Sequence, residues 1–377
     1  MRAPVTLSRY IIRQFLVSST IIFLTFTLLI ILLDALELVR RSHNHNIPAA
    51  TIVQMSLLKF PEMGQRILPF ILLIGAVLSY SKMTRMHELI VARAAGVSVW
   101  QFLMPTIATS FLIGVVVVTI INPLSCIMIS RYEQLEDKHF QRKTGLSSVG
   151  KSGTWFRQKE FSSETSLLAG ETIIHALEAT DNDDNVDLRE ISIFVFKDPE
   201  DLGEHIFTNR IDAAEARLLE KYWHLKQVVV TAPGKKTISY DEYFLETDLT
   251  SKDIQNSLAS PETIPVWQLP AFISTLQKSG FSASTHILHW HNLLASPFLY
   301  AGMILVASLF SLRPTRMGKS GALITASIVT GFLIYFFTSV ISSLGLSGSL
   351  SLAMAAWIPV IVVVLTSVGL LLHFEDG

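Results

Sequence analysis

The sequence predicts an α-helical membrane protein in which six transmembrane helices, arranged as three plus three, flank an inserted periplasmic domain with a β-jellyroll-like fold. Half of the 377 residues are hydrophobic and 16% are charged, whereas typical soluble domains are about 25% charged. Residues 131–253 contain 40 of the 61 Asp, Glu, Lys and Arg residues. The net charge of −1 gives no indication of nucleic-acid binding.

Each flanking region contains apolar runs long enough to cross a bilayer, for which a helix needs about 20 residues. The first run, Phe15–Leu33, is interpreted as a retained helix, because no Ala-x-Ala cleavage pattern follows it. The Gly- and Ser-rich segment Ser342–Ser351 separates the last two spans. Helices one to three are predicted in residues 1–130, and helices four to six in residues 286–377. The other five spans are predicted at Ile67–Ser81 (beginning near Met63), Thr106–Pro123, Ile287–Leu312, Gly321–Ile341 and Leu352–Leu372.

Basic residues in short loops predict the orientation, because Lys and Arg are enriched on the cytoplasmic side. With six spans, three basic groups fall on one side, so both termini are expected in the cytoplasm and residues from about 131 to 285 in the periplasm. Four further basic residues fall on the other side and weaken this signal: Arg40, Arg41, Lys59 and Arg66. The three groups are Arg2, Arg9 and Arg13; Lys82, Arg85 and Arg93; and Arg313, Arg316 and Lys319.

The polar region, residues 131–259, is predicted to be a β domain. The segment Arg189–Lys197 alternates along its length and is rich in β-branched and aromatic residues. Short strands at close spacing are typical of a sandwich or a jelly roll. A short amphipathic helix at the membrane surface is expected between Ser260 and Gly280, within an interfacial amphipathic segment of residues 260–285. Further strands are predicted at Trp155–Phe156, Thr172–Ala176, His205–Ile211, Lys221–Pro233 and Thr237–Thr247.

Between spans two and three, the segment Ser81–Trp100 is too charged to lie in lipid. It contains good helix formers at residues 83–95, and Gly96 stands where a helix C-cap is expected. The segment fits either a short cytoplasmic helix that passes force from an ATPase to the membrane core or a solvated connecting loop.

Several motifs suggest nucleotide or metal binding, but the residues around them do not support these interpretations. The segment Met317–Ser320 ends like a phosphate-binding loop, but Arg313 stands where the motif needs its first Gly. The pair His286 and His289 has no accompanying acid or Cys, so interfacial histidines are the preferred interpretation. The lone Cys126 allows no internal disulfide. We therefore expect no catalytic site, metal or cofactor in this chain.

Three features together resemble the LptF/LptG permease family of the lipopolysaccharide exporter: the segment Glu88–Gly96, the N-terminal segment Leu7–Leu16, and the three-plus-three layout. The segments Arg210–Val230 and Ser320–Gly345 are also similar to that family. The segment Leu36–Arg41 resembles LptG more than LptF.

This resemblance implies a set of partners and an acidic coupling residue. The partners are a paralogous LptF-like permease, a homodimeric cytoplasmic ABC ATPase, and a single-span LptC-like protein with a periplasmic jellyroll. The family's coupling acid falls on Glu88, which would pair with a basic residue of the ATPase, and Arg85 and Arg93 belong to the same coupling segment. Lipopolysaccharide is the expected substrate.

Two groups of residues are candidates for substrate binding. Arg40 and Arg41 lie just beyond span one, and Arg binds phosphates such as those of lipid A through paired hydrogen bonds. An anchor to lipid headgroups is the alternative. In span five, Phe332, Tyr335 and Phe336 could line a cavity for acyl chains or simply face lipid.

Two other functions remain open at this point. The chain could be the permease of another ABC exporter, for lipoproteins or other amphiphiles, although such exporters typically place a large external domain after span one. It could also be a membrane sensor or assembly factor with a β ectodomain. A stoichiometric ATPase that copurifies with the chain would favour transport.

Overall fold

The architecture was analysed in a computed structural model, which describes residues 5–42, 47–140, 154–158, 172–182, 185–197, 206–219, 222–247, 260–278, 282–311 and 320–375. The chain divides into two compact units. The membrane unit comprises Met1–Leu135, Pro261–Leu269 and Ser284–Gly377. The β unit comprises Glu136–Ser260 and Pro270–Ala283.

Within the described residues, six helices are long and apolar enough to span a membrane, three before the β strands and three after them. This arrangement confirms the predicted fold class. The helices of the chain are α1 (Val5–Ser42), α2 (Ala49–Arg85), α3 (Glu88–Ala94), α4 (Val99–Val116), α5 (Asn122–Phe140), α6 (Leu269–Lys278), α7 (Ser284–Ser311), α8 (Ser320–Leu346) and α9 (Leu352–Glu375).

Three spans are much longer than their apolar runs, including α1, which covers 38 residues. Helix α2 begins at Ala49 rather than near Met63, and it continues through Pro61 and Pro69. Helices α4 and α5 are joined by a π-helical turn, Val117–Ile121, into one span from Val99 to Glu136. Hydropathy missed the extension of α2 because it ends a span near charged residues, whereas Lys59 and Arg66 of this helix are paired with acids.

The core of the membrane unit is formed mainly by α2, α4 and α7. Gly75 allows α1 to approach α2 closely, since a Cβ at this position would lie 2.8 Å from Ser19 Cα. At Gly114, a Cβ would lie 2.6 Å from Pro297 Cα of α7. Small residues permit this kind of close helix contact in membranes.

All six predicted strands are present in the β unit, and their order follows the sequence. They form one antiparallel sheet in the order β1-β2-β3-β4-β5-β6, so each described strand pairs with its neighbours in the chain. The strands are β1 (Thr154–Gln158), β2 (Thr172–Asn182), β3 (Asn185–Lys197), β4 (Ile206–Leu218), β5 (Tyr222–Thr231) and β6 (Ile238–Glu246).

The alternation of buried and exposed residues is interrupted at one row that crosses three adjacent strands. Strand β3 places exposed Arg189 and Glu190 in succession between buried residues, and β4 and β5 do the same at 214–215 and 226–227. In this row, Glu190 and Gln227 have positive φ angles of 49° and 52°. Because strict alternation requires extended backbone, the sheet kinks across its width at this row.

The short amphipathic helix predicted between Ser260 and Gly280 corresponds to α6, which covers only part of that segment. A 3-10 turn at Pro261–Thr263 is followed by Ile264 and Val266, which are buried in the membrane unit, and α6 begins only at Leu269. Between these residues and α6 the chain forms a turn, in which the Gln268 N–H donates to the Pro265 carbonyl at 2.8 Å.

Candidate functional site

The segment between the second and third spans contains a short helix, α3, which begins at Glu88. The predicted helix over residues 83–95 is divided here, because α2 continues to Arg85 and His87 adopts a left-handed φ of 60°. The expected C-cap is confirmed: Gly96 has a φ of 83°, and its N–H donates to the carbonyl of Arg93. Arg85 therefore ends α2, and Arg93 lies in the last turn of α3.

Helix α3 is anchored on one side and exposed on the other. Leu89 is buried in the core of the membrane unit together with Ile11 of α1. Met86, Ile90 and Val91 are exposed to solvent. An apolar surface on a helix too short to span a membrane is typical of a docking site for a partner protein.

Glu88 is half-buried and held from α1. The hydroxyl of Tyr10 donates a hydrogen bond of 2.9 Å to Glu88 Oε1. The other oxygen, Oε2, is buried and has no hydrogen-bond partner among the described residues. Tyr10 carries no signal in the sequence, because no local pattern indicates that residues 78 positions apart are in contact.

At the opposite end of α1, Arg40 and Arg41 are exposed in the last turn. Arg41 pairs with Glu37 one turn earlier, at 3.0 Å. A cation in the last turn also interacts favourably with the helix dipole. Both guanidinium groups therefore lie at the surface of the helix end.

Lys59 of α2 lies near this same end and is part-buried. Its Nζ is 3.0 Å from Asp34 Oδ1 of α1 and 5.3 Å from the ring centre of Tyr132. This pairing explains why a part-buried lysine is tolerated in this helix. Ionisable residues within an apolar run are a recognised signal of a functional site, and that signal could have pointed to Asp34.

Two of the three aromatic residues of α8, Phe332 and Phe336, project away from the bundle, whereas the ring of Tyr335 lies 5.8 Å from that of Phe70 in α2. Phe332, Tyr335 and Phe336 are 62%, 55% and 59% exposed. Gly331, one turn before Tyr335, faces α2, since a Cβ there would lie 2.9 Å from Leu73 of α2. The spacing i, i+3 and i+4 places the three rings on one face of the helix.

Helices α1 and α8 are the least buried of the six spans. Only 11% of the apolar window of each is buried, compared with 39% or more for the other four. Their uncovered faces are apolar along most of their length. These two helices therefore provide the largest surfaces for lipid, substrate or a second membrane protein.

A polar cavity of about 370 Å³ lies inside the membrane unit. Arg66 of α2 forms ion pairs there with Glu62 of its own helix and with Glu262, at 3.1 Å from the latter. Asn122, at the end of the π-helical turn, accepts a hydrogen bond of 3.0 Å from the Val266 N–H. The lining residues are Glu62, Gln65, Arg66, Val117, Val118, Asn122, Ser125, Glu262, His289, Asn292, Leu293, Ser296 and Tyr300.

The histidine-rich segment belongs to α7. His286 is buried, and His289 lines the polar cavity, so these two are interior rather than surface residues. Within the part of the chain that the structure describes, no group of three or more His, Cys, Asp and Glu side chains could hold a metal ion. His43, His45 and the basic loop that contains Arg313 lie outside the described residues.

A family model described as lipopolysaccharide export system permease LptF/LptG matches residues 9–373, nearly the whole chain. The chain belongs to this family. Comparison with curated proteins finds no match. As an LptF/LptG permease, the chain is a multi-pass inner-membrane transport subunit for lipopolysaccharide export rather than a catalytic enzyme. Membership favours this role over the other exporters and the sensor.

Proposed function

We propose that this LptF/LptG permease is one half of the membrane core of an ATP-driven lipopolysaccharide extractor, with a paralogous permease as the other half. The proposal rests mainly on α3. This helix is joined to the core through Leu89 and presents Ile90 and Val91 outside the spans, next to the exposed Met86 at the end of α2. A partner ATPase that docks on this surface would act directly on α1 and α2.

In this proposal ATP is hydrolysed by a cytoplasmic ABC ATPase dimer. Glu88 pairs with a basic residue of the ATPase, while Arg85 and Arg93 flank the docking surface. Coupling of this kind needs a helix that moves as a rigid body with the core, and the burial of Leu89 supports such movement. Both termini would then be cytoplasmic, and the β unit would be periplasmic.

The substrate path in this proposal uses the two least buried spans. Lipopolysaccharide would enter laterally between the permeases, with its acyl chains on Phe332, Tyr335 and Phe336 and its phosphates at Arg40 and Arg41. Closure of the ATPase would move the lipid into the β unit and onward to a single-span jellyroll partner. The sequence of the first span after Leu36 favours the LptG type for this chain.

Purification of the intact chain from its native membrane tests this function. We expect a soluble ATPase and a second permease in stoichiometric amounts, and ATP hydrolysis that depends on docking at α3. The variant Ile90→Asp places a charge on the apolar docking surface and should release the ATPase. The matched variant Gln277→Asp, at an exposed position of α6, should retain it. Retention of the ATPase by both variants, or its absence from the wild type, would contradict the proposal.

The orientation of the chain in the membrane is tested separately by cysteine labelling. Cys126 is buried and is the only cysteine of the chain, so a Cys126→Ser background allows single-cysteine labelling. In spheroplasts, a membrane-impermeant maleimide should label a cysteine at Ser239 of β6 but not one at Ala95. The reverse pattern would place the β unit in the cytoplasm.

A further inference from the structure

Helix α3 is connected to α1 by a charged hydrogen bond in addition to apolar packing. The Tyr10 hydroxyl donates to Glu88 Oε1 at 2.9 Å, and Oε2 is buried. A hydrogen bond to an ionised carboxylate is about twice as strong as one between neutral groups. The bond therefore fixes where the Glu88 carboxylate lies relative to α1.

The neighbouring residues make this link rigid. Ile11, which follows Tyr10, is 1% exposed, and Leu89, which follows Glu88, is 4% exposed. Both belong to the same buried cluster of the membrane unit. The hydrogen bond thus lies at the edge of a packed contact, where its length and direction are constrained.

Helix α1 can carry a displacement along its whole length. It runs without interruption over 38 residues and contains no Pro or Gly, so it is roughly 57 Å long at 1.5 Å per residue. Its buried side chains are Ile11, Phe15, Ser19 and Leu38. A helix that is rigid and little covered moves as a unit when one end is displaced.

We infer that Tyr10 is a positioning residue for transport: it orients the Glu88 carboxylate and passes the displacement of α3 to α1. This inference rests on the proposed function, because it assumes that an ATPase acts on α3. Beyond that function, the N-terminal end of α1 receives the force of the ATPase through the Tyr10–Glu88 hydrogen bond. The same helix carries Arg40 and Arg41 at its other end, so ATPase movement would reach the substrate-binding end through one element.

A purely structural role for Tyr10 makes a different prediction. If the bond only fastens α3, its loss lowers the stability of the docked ATPase, and ATP hydrolysis and transport fall in proportion. If the bond positions Glu88 and drives α1, ATP is still hydrolysed but less lipid is moved for each ATP. The ratio of lipopolysaccharide released to ATP hydrolysed distinguishes a positioning role of Tyr10 from a purely structural one.

The decisive variant is Tyr10→Phe, which removes the hydroxyl and keeps the ring. Tyr222→Phe in β5 is the matched control, because Tyr10 is 42% and Tyr222 is 43% exposed. The full chain is purified with its copurifying partners and reconstituted in liposomes that contain lipopolysaccharide. We expect Tyr10→Phe to lower the ratio about threefold to tenfold, as the loss of one hydrogen bond allows, and Tyr222→Phe to leave it unchanged. An unchanged ratio with Tyr10→Phe would overturn the inference.

Two further measurements make the result specific. In a Glu88→Ala background, Tyr10→Phe should have no additional effect, because its partner is already absent; an additional loss of the same size would contradict the role. Amide hydrogen exchange of residues 86–95 should rise in Tyr10→Phe without any ATPase present, and unchanged exchange would count against positioning. If no ATPase copurifies with the wild type, the proposed function itself fails, which is a separate outcome from a normal ratio in Tyr10→Phe.

Discussion

Arg66 of α2 and Glu262, which are 196 positions apart in the chain, form an ion pair of 3.1 Å in the membrane unit. The guanidinium also pairs with Glu62, one turn earlier on α2. One cation thus lies between two carboxylates and fastens the segment that follows the β strands to α2. The Asn122–Val266 hydrogen bond fastens the same segment to α5.

This arrangement predicts that the loss of Arg66 lowers the free energy of unfolding more than the loss of Glu262 does. Arg66→Gln leaves the buried Glu62 and the part-buried Glu262 without their shared cation. The free energy of unfolding should therefore fall by about 1–3 kcal/mol, less than for a fully buried pair because the Arg66 side chain is 58% exposed. Glu262→Gln leaves Arg66 with Glu62 and should cost less than about 1 kcal/mol. Thermal unfolding of the full chain in one detergent measures both.

A charge swap tests the same geometry. The double variant Arg66→Glu with Glu262→Arg should not restore stability, because Glu62 would then lie one turn from a second carboxylate. Arg41→Gln removes a surface pair with Glu37 and serves as a control, with an expected change below about 0.5 kcal/mol. Full restoration by the swap would show that Glu62 contributes nothing to the pairing.

Close contact between α1 and α2 predicts that Gly75 cannot be enlarged without moving α1. In Gly75→Ala, the new methyl group overlaps the backbone of Ser19, so we expect a loss of about 1–3 kcal/mol in stability. Gly369→Ala in α9 is the matched control, because a Cβ there meets nothing within 4 Å. Equal unfolding temperatures for the two variants would be incompatible with the packing described.

The kink in the sheet predicts which substitutions the β unit accepts. Glu190→Gly should be neutral or stabilising by up to about 1 kcal/mol, since Gly adopts a positive φ without steric cost. Glu190→Val should destabilise by about 1–2 kcal/mol, because a β-branched residue is strained in this conformation. Hydrogen exchange of the β3 and β4 amides in the full chain reports the difference, and equal protection in both variants would argue against a kink at this row.

The phosphate role proposed for Arg40 and Arg41 predicts a loss of substrate contact on charge reversal. In a chain with a photoreactive residue at Val39, crosslinking to lipopolysaccharide should fall at least about threefold in Arg40→Glu with Arg41→Glu. Lys235→Glu with Lys236→Glu makes the same change of charge in an exposed turn of the β unit and should leave the crosslink intact. Undiminished crosslinking with both arginines reversed would support a headgroup anchor instead.

Much of the fold was predictable because it depends on local composition. The uncharged runs predicted all six spans, and the alternating segments predicted all six strands, including β3. The C-cap at Gly96 was also predictable, since a positive φ favours glycine wherever it occurs. The start of α2 at Ala49 and the π-helical turn before Asn122 were not, because both depend on partners elsewhere in the chain.

For the candidate site, the sequence alone determined the residue types and their spacing: Glu88 in a charged segment between two spans, Arg40 and Arg41 at the end of the first, and an aromatic face on the fifth. The tertiary structure decided which of these groups meet. It placed Tyr10 against Glu88, Asp34 against Lys59, and Glu262 against Arg66, and it established the strand order of the β unit. The physical reason is that hydropathy and backbone preference act within about one turn of chain, whereas ion pairs and hydrogen bonds between helices depend on how distant segments pack.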